Sequence, residues 1–235
     1  MRYPVACFTP VEEKGIRQMT AESNAIDVQY REFEQNDYQD LARITGEVWP
    51  GEGGAVGGKL GGAVYLATFL QRSTYSQVAV ANGKPAGFIF ARDGDPDPKV
   101  EAAWKGVEQE SIDRLRRVDP READHLLAGI EAETKAYDKV LRESGCDTRY
   151  EFVLFAVSPS AQGLGVGREL FSRAELYLYG RGAREAYLET DDSCDWSFYE
   201  HRGLRRAAEY HPSSRQNGLL LSGYYIYVDE LKLDC

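Results

Sequence analysis

Three glycines at alternate positions, Gly163, Gly165 and Gly167, follow a Val-Ser-Pro step in the stretch VSPSAQGLGVGREL, Val157–Leu170. An apolar run, YEFVLFAV, precedes them and a helical pattern follows. A strand that ends in glycines and opens a helix presents unpaired backbone N–H groups at the positive end of the helix dipole. Glycine also lets the backbone approach an anion closely and take positive φ. The chemistry such a junction serves is phosphate binding. Two nucleotide fingerprints do not fit. G-x-G-x-x-G counted from Gly163 reaches Arg168, and counted from Gly165 it reaches Leu170. The P-loop needs Gly-Lys-Ser/Thr, whereas Gly167 is followed by Arg168 and Glu169. A second near-match, Gly53 to Lys59, puts Leu60 where a hydroxyl must ligate magnesium.

What remains is Q-x-x-G-x-G, carried by Gln162, Gly165 and Gly167. A second block agrees with it. YLETDDSCDWSFYEHRGL (Tyr187–Leu204) reads as a strand followed by an FYE-x-x-G helix, with Phe198, Tyr199, Glu200 and Gly203 in place and Leu204 where Phe is usual. In these two blocks, and in the order of elements from Ala25 onward, the sequence resembles the GNAT acetyltransferase family. The first 24 residues and the segment 93–149 stand outside the resemblance.

The resemblance implies an α/β fold with a mixed, mostly antiparallel central sheet flanked by helices. It implies acetyl-CoA as co-substrate and no metal. The coenzyme pyrophosphate is then expected on the amides of Gln162, Gly163, Leu164, Gly165, Val166, Gly167 and Arg168. The pantetheine arm is expected along Phe155, Ala156 and Val157, with one of their N–H groups facing the thioester oxygen. Asp195 stands where related sequences often carry Asn and is expected to touch the coenzyme. Tyr199 matches the family's general acid; a phenol near pKa 10 is able to serve a thiolate whose parent pKa is about 8.5. An alkyl amine near pKa 10 must lose a proton before it attacks. The candidate bases are Glu189, Asp191 and Asp192, at or just past a strand end, and the sequence does not rank them. Cys194 lies in the same turn with no histidine placed to activate it, and the resemblance implies the family's direct transfer in a ternary complex. The acceptor is a primary amine of a small molecule or peptide. The alternative is an acyl-CoA-binding module that uses segment 93–149 to contact a partner, with little catalysis. Family members often dimerise, so a homodimer is a further expectation, without a named interface.

Several elements must position these residues. AIDVQYREF (Ala25–Phe33) alternates as a strand does, and Asp37 caps a helix carrying Leu41, Ile44 and Val48. PGEGGAVGGKLGG (Pro50–Gly62) reads as a flexible loop, either a plain linker or a mobile loop over a substrate cleft, followed by a helix over Ala63–Arg72. SQVAVANGKPAGFIFAR (Ser76–Arg92) is a hairpin about Asn82-Gly83. Segment 93–149 reads as two amphipathic helices, started by Asp97-Pro98 and Asp119-Pro120, with a solvated outer face. Strands are expected over Tyr150–Pro159, Ala183–Thr190, Arg205–Tyr210 and Tyr224–Leu231, with helices over 165–180, capped by Gly180, and Trp196–His201. Residues 1–24 read as an arm and 25–235 as one domain.

The formal net charge of −10 argues against a duplex nucleic-acid binder and suits a cationic acceptor. Cys7, Cys146, Cys194 and Cys235 form no C-x-x-C pair, and the three histidines add no zinc spacing. Reduced thiols in a cytoplasm are expected. No apolar run has the roughly 20 residues of a membrane span, and MRYPVACFTPVEEKG lacks the basic and apolar regions of a secretory signal.

Overall fold

The computed structural model describes residues 27–50, 54–212 and 223–232. The expected N-terminal arm and most of the tail between the last two strands lie outside them. In chain order the elements are β1 (Val28–Arg31), α1 (Tyr38–Val48), α2 (Gly54–Gln71), β2 (Tyr75–Ala81), β3 (Lys84–Asp93), α3 (Pro98–Val118), α4 (Pro120–Ser144), β4 (Tyr150–Val157), α5 (Val166–Gly180), β5 (Glu185–Asp191), α6 (Ser197–His201), β6 (Arg205–Tyr210) and β7 (Tyr224–Glu230). The strands form one sheet in the order β1-β2-β3-β4-β5-β7-β6. Neighbours run antiparallel except β4 and β5, which are parallel and pair only at Glu151 with Tyr187. This is the mixed, mostly antiparallel architecture expected. Among the described residues no helix is long and apolar enough to cross a membrane.

Helix α5 packs on one face of β2, β3 and β4, and α1 on the other. The strand period of two splits β4 accordingly. Phe152, Phe155 and Val157 join Leu170, Phe171 and Leu178 under α5, whereas Val153, Leu154 and Ala156 join Leu41, Ile44 and Phe69 on the opposite side. The β2–β3 turn has Asn82 and Gly83 at φ 51° and 75°, the paired left-handed conformation that Asn-Gly favours.

The glycine-rich segment departs from expectation. It is not a loop, because α2 already starts at Gly54. Glycine disfavours a helix by about 1 kcal/mol per residue relative to alanine, and tertiary contact overrides that here. A Cβ on Gly46 would stand 2.2 Å from the Gly58 carbonyl oxygen, and one on Gly62 would stand 2.2 Å from that of Ala42. Pairs four residues apart on α1 and α2 thus let the two backbones touch. Two smaller corrections concern ends. Strand β1 is shorter than expected, and α5 is closed by Gly182 at φ 98° rather than by Gly180, its last residue.

Segment 93–149 is the expected helical hairpin. The Asp97 carboxylate accepts the Lys99 N–H at 2.8 Å, and that of Asp119 accepts the Glu122 N–H at 3.0 Å. The hairpin is not merely an outer layer: α3 packs along α2, and α4 runs over β6 and β7. Tyr137, Val140 and Leu141 of α4 close a third apolar cluster with Tyr187, Tyr224 and Ile226.

Candidate active site

The glycine loop lies where β4 hands over to α5. Gly163 and Gly165 adopt φ 79° and 76°, which explains why glycine occupies both positions. A Cβ at either one would meet nothing within 4 Å, so the loop faces open space. The first intrahelical bond runs from the Glu169 N–H to the Gly165 carbonyl at 3.2 Å. The amides of the preceding turn, Val166 to Arg168, are the ones a helix start leaves for an anion. The seven loop residues expected around a pyrophosphate are contiguous at this junction, with Gly163, Leu164, Gly165 and Arg168 exposed and Val166 and Gly167 buried.

Strand β4 supplies an open edge beside this loop. Past Glu151 it no longer pairs with β5, while it stays paired with β3 through Val157. The Ser158 N–H donates to the Ala86 carbonyl on the β3 side at 2.8 Å. Alternation along the strand then turns the N–H groups of Val157 and Phe155 toward β5, and that of Ala156 toward β3. Of the three residues expected along a pantetheine arm, Phe155 and Val157 offer backbone groups to the gap and Ala156 does not. The β3–β4 register shifts between the Phe90–Leu154 and Ala91–Phe152 pairs, with Val153 the extra residue, where the gap opens.

A buried ion cluster pins the closed end of that gap. Glu151 receives Arg72 at 2.9 Å and Arg92 at 2.7 Å, and both carboxylates facing Arg72, Glu151 and Glu189, are fully buried. Glu189 lies 3.8 Å from Arg72. Arg92 also donates to the Tyr187 hydroxyl at 3.2 Å. Two cations and two anions from α2's end, β3, β4 and β5 therefore meet at the last β4–β5 pair. Such clusters hold only when complete, because removing one partner strands a buried charge.

Asp191 ends β5 on the same face as Glu189 and is 1% exposed. It accepts the Tyr137 hydroxyl at 2.6 Å, the Ser193 hydroxyl at 2.5 Å and the Ser193 N–H at 2.8 Å. Burial pushes its carboxyl up, and these hydrogen bonds hold it back. It lines a cavity of about 40 Å³ with Ser193, Trp49, Tyr65, Phe69, Leu154 and Glu133. Burial, and then the charge of Asp191, push the Glu133 carboxyl up to about 8, against a hydrogen bond from Tyr65. Asp192 turns away and accepts the Tyr225 hydroxyl at 2.5 Å.

Tyr199 is fully buried among Phe171, Phe198 and Tyr227. Burial, then Asp191 and Asp195, push its phenol well above 10. Asp195, two residues before the short α6, accepts the Ser197 N–H at 3.2 Å and the Ser197 hydroxyl. Cys146 is a free thiol, whereas Cys194 is disulfide-bonded. That corrects the expectation of reduced thiols at 194. No cluster of metal-ligating side chains occurs among the described residues.

The Acetyltransferase (GNAT) family profile matches residues 38–204. The chain belongs to the GNAT family. Solved structures with the same fold include SsHAT, at 15% identity and TM-score 0.56, covering 87% of this chain and 98% of that one. Ard1 from Thermoplasma volcanium follows at 14% and 0.52, covering 87% and 98%. PH1933 from Pyrococcus horikoshii OT3 is at 14% and 0.51, covering 88% and 100%. No curated protein matches the chain in sequence.

Of the residues lining this GNAT protein's cavity, only Asp191 was singled out by its sequence as a site residue. Trp49, Tyr65 and Phe69 read as helix packing, and Glu133 is one of 15 acids in segment 93–149. Spacing alone carries no signal for Glu133, because the helix that brings it to Asp191 lies outside the family's motifs.

Proposed function

We propose that the protein moves an acetyl group from acetyl-CoA to a primary amine by direct attack in a ternary complex. One juxtaposition carries this reading. The open edge of β4 runs into the glycine-opened start of α5, and a cavity lined by carboxylates lies across the same β4–β5 gap. The loop amides suit a pyrophosphate in charge and in reach. The Phe155 or Val157 N–H, aimed into the gap, suits the oxygen on which charge develops when an amine attacks a thioester.

Each residue then has a role. Asp191 takes a proton from the incoming ammonium, which frees the nitrogen lone pair. The lone pair forms the C–N bond, the C–S bond breaks, and the departing thiolate receives a proton from Tyr199. The nitrogen's second proton is lost as the amide forms, so one proton is released overall. Glu189, held by Arg72, belongs to the ion cluster that fixes the gap and not to proton transfer. Asp195 positions α6, and with it Tyr199.

The test is thiol release from acetyl-CoA with a panel of primary amines, comparing the wild-type chain with Tyr199→Phe. Turnover that falls about tenfold or more in the variant, with unchanged acetyl-CoA affinity, supports the reading. Acetyl-CoA binding without turnover on any amine returns the alternative, a binding module.

A further inference from the structure

We infer that the cavity between α4 and the end of β5 holds the terminal ammonium of an unbranched alkylamine acceptor, gripped by Glu133 and Asp191 and walled by Trp49, Tyr65 and Phe69. The inference rests on the acetyltransferase reading above and names its acceptor.

Charge points to a cation. Two carboxyls from separate elements face one small cavity, and the groups that reach them are neutral: Tyr137 and Ser193 on Asp191, Tyr65 on Glu133. No Lys or Arg among the described residues forms an ion pair with either. Arg72 lies 5.4 Å over the Phe69 ring of the wall and is committed to Glu151 and Glu189. A buried acid pair without a cation is complete when the ligand brings one.

The walls agree. Tyr65 and Phe69 stack one helical turn apart, 6.4 Å between centroids and 18° between planes. Trp49 adds a third ring, and its Nε1 is buried without a hydrogen-bond partner. Aromatic faces attract an ammonium, and an unanswered indole N–H suits the lone pair left once that ammonium gives up its proton.

Size selects the shape. About 40 Å³ of space for water-sized centres holds roughly three waters, or a nitrogen and two methylenes. So narrow a space favours an unbranched alkyl chain over the branched carbon that carries a peptide's α-amino group. Leu154 places the cavity floor at the register shift in β4 where the gap opens. An end-on alkylamine there presents its nitrogen to the gap, and the rest of the acceptor extends outward.

The experiment uses the full chain, wild type and Glu133→Gln, with acetyl-CoA binding measured by calorimetry and transfer measured by thiol release. Both proteins are expected to bind acetyl-CoA alike. Wild type should prefer butylamine over alaninamide in kcat/KM by about tenfold or more, and Glu133→Gln should lose about tenfold or more on butylamine. Glu133→Asp should retain part of the rate. Equal kcat/KM in wild type and Glu133→Gln, or a preference for alaninamide, overturns the inference. Should Glu133→Gln not fold, competition on the wild-type protein decides. Ethylammonium should lower formation of N-butylacetamide, followed by mass spectrometry, where ethanol at the same concentration does not, and an equal effect of the two overturns it. If neither protein binds acetyl-CoA, the acetyltransferase reading itself fails.

Discussion

The Tyr137 hydroxyl donates to Oδ2 of Asp191 at 2.6 Å, which ties the inserted hairpin to the C-terminal end of β5. Both side chains are buried, and Tyr137 stacks edge-on against Tyr224 of β7 at 5.0 Å. Tyr137→Phe keeps the ring and removes the donor. A hydrogen bond to a charged group is worth about 1.5–3 kcal/mol, so denaturant unfolding should show a loss of that order at neutral pH. The same bond holds the Asp191 carboxyl down, so transfer should also shift its pH dependence upward.

Glu133 predicts how stability depends on pH. Its folded pKa is raised, to about 8 from 4.5. Between those values the folded chain keeps a proton that the unfolded chain releases. This contribution is present below the unfolded pKa and is lost as pH rises through the folded one. Each pKa unit is worth about 1.4 kcal/mol. Glu133→Gln, which keeps a neutral group at all pH, should therefore melt higher than wild type near pH 8 and close to it near pH 4. The groups facing Glu133 are Asp191 and Tyr65. Equal pH slopes for the two proteins would contradict the assignment.

Gly165→Ala tests the loop. The added Cβ meets nothing, so its effect is conformational: an L residue held at φ 76° costs about 1–2 kcal/mol. Relaxation of that strain moves the loop amides. The expected outcome is a modest drop in melting temperature and a fall in acetyl-CoA affinity of about tenfold, read by calorimetry.

Gly62→Ala tests the α1–α2 contact. Its Cβ would stand 2.2 Å from the Ala42 carbonyl oxygen, which is backbone and must move with its helix. Overpacking of this kind costs about 1–3 kcal/mol, although alanine is the better helix former. Thermal unfolding should show destabilisation; a gain would mean that the helices do not touch there.

The contrast between these sites shows what the sequence carried. The glycine loop at the start of α5 was legible because positive φ at Gly163 and Gly165 restricts residue type, and the restriction is local. The caps at Asp97 and Asp119 were legible for the same reason. Helix α2 was not, because glycines that signal a loop locally are here the surface on which α1 lies. Tyr137 fell on the expected apolar stripe of α4, but its hydroxyl's partner is 54 residues away. Glu133 is reached only through the cavity it shares with Asp191, and no spacing rule joins an inserted helix to a strand end.

The most direct test of the central claim is a thermal-shift measurement on the full chain with acetyl-CoA, run beside ATP and NAD, and repeated with Gly165→Ala. A ligand bound only by the native state at 100 times its Kd adds about 2.7 kcal/mol. The account predicts a clear rise with acetyl-CoA alone, and a smaller one in the variant. A rise with ATP or NAD instead, or none with acetyl-CoA, would contradict it.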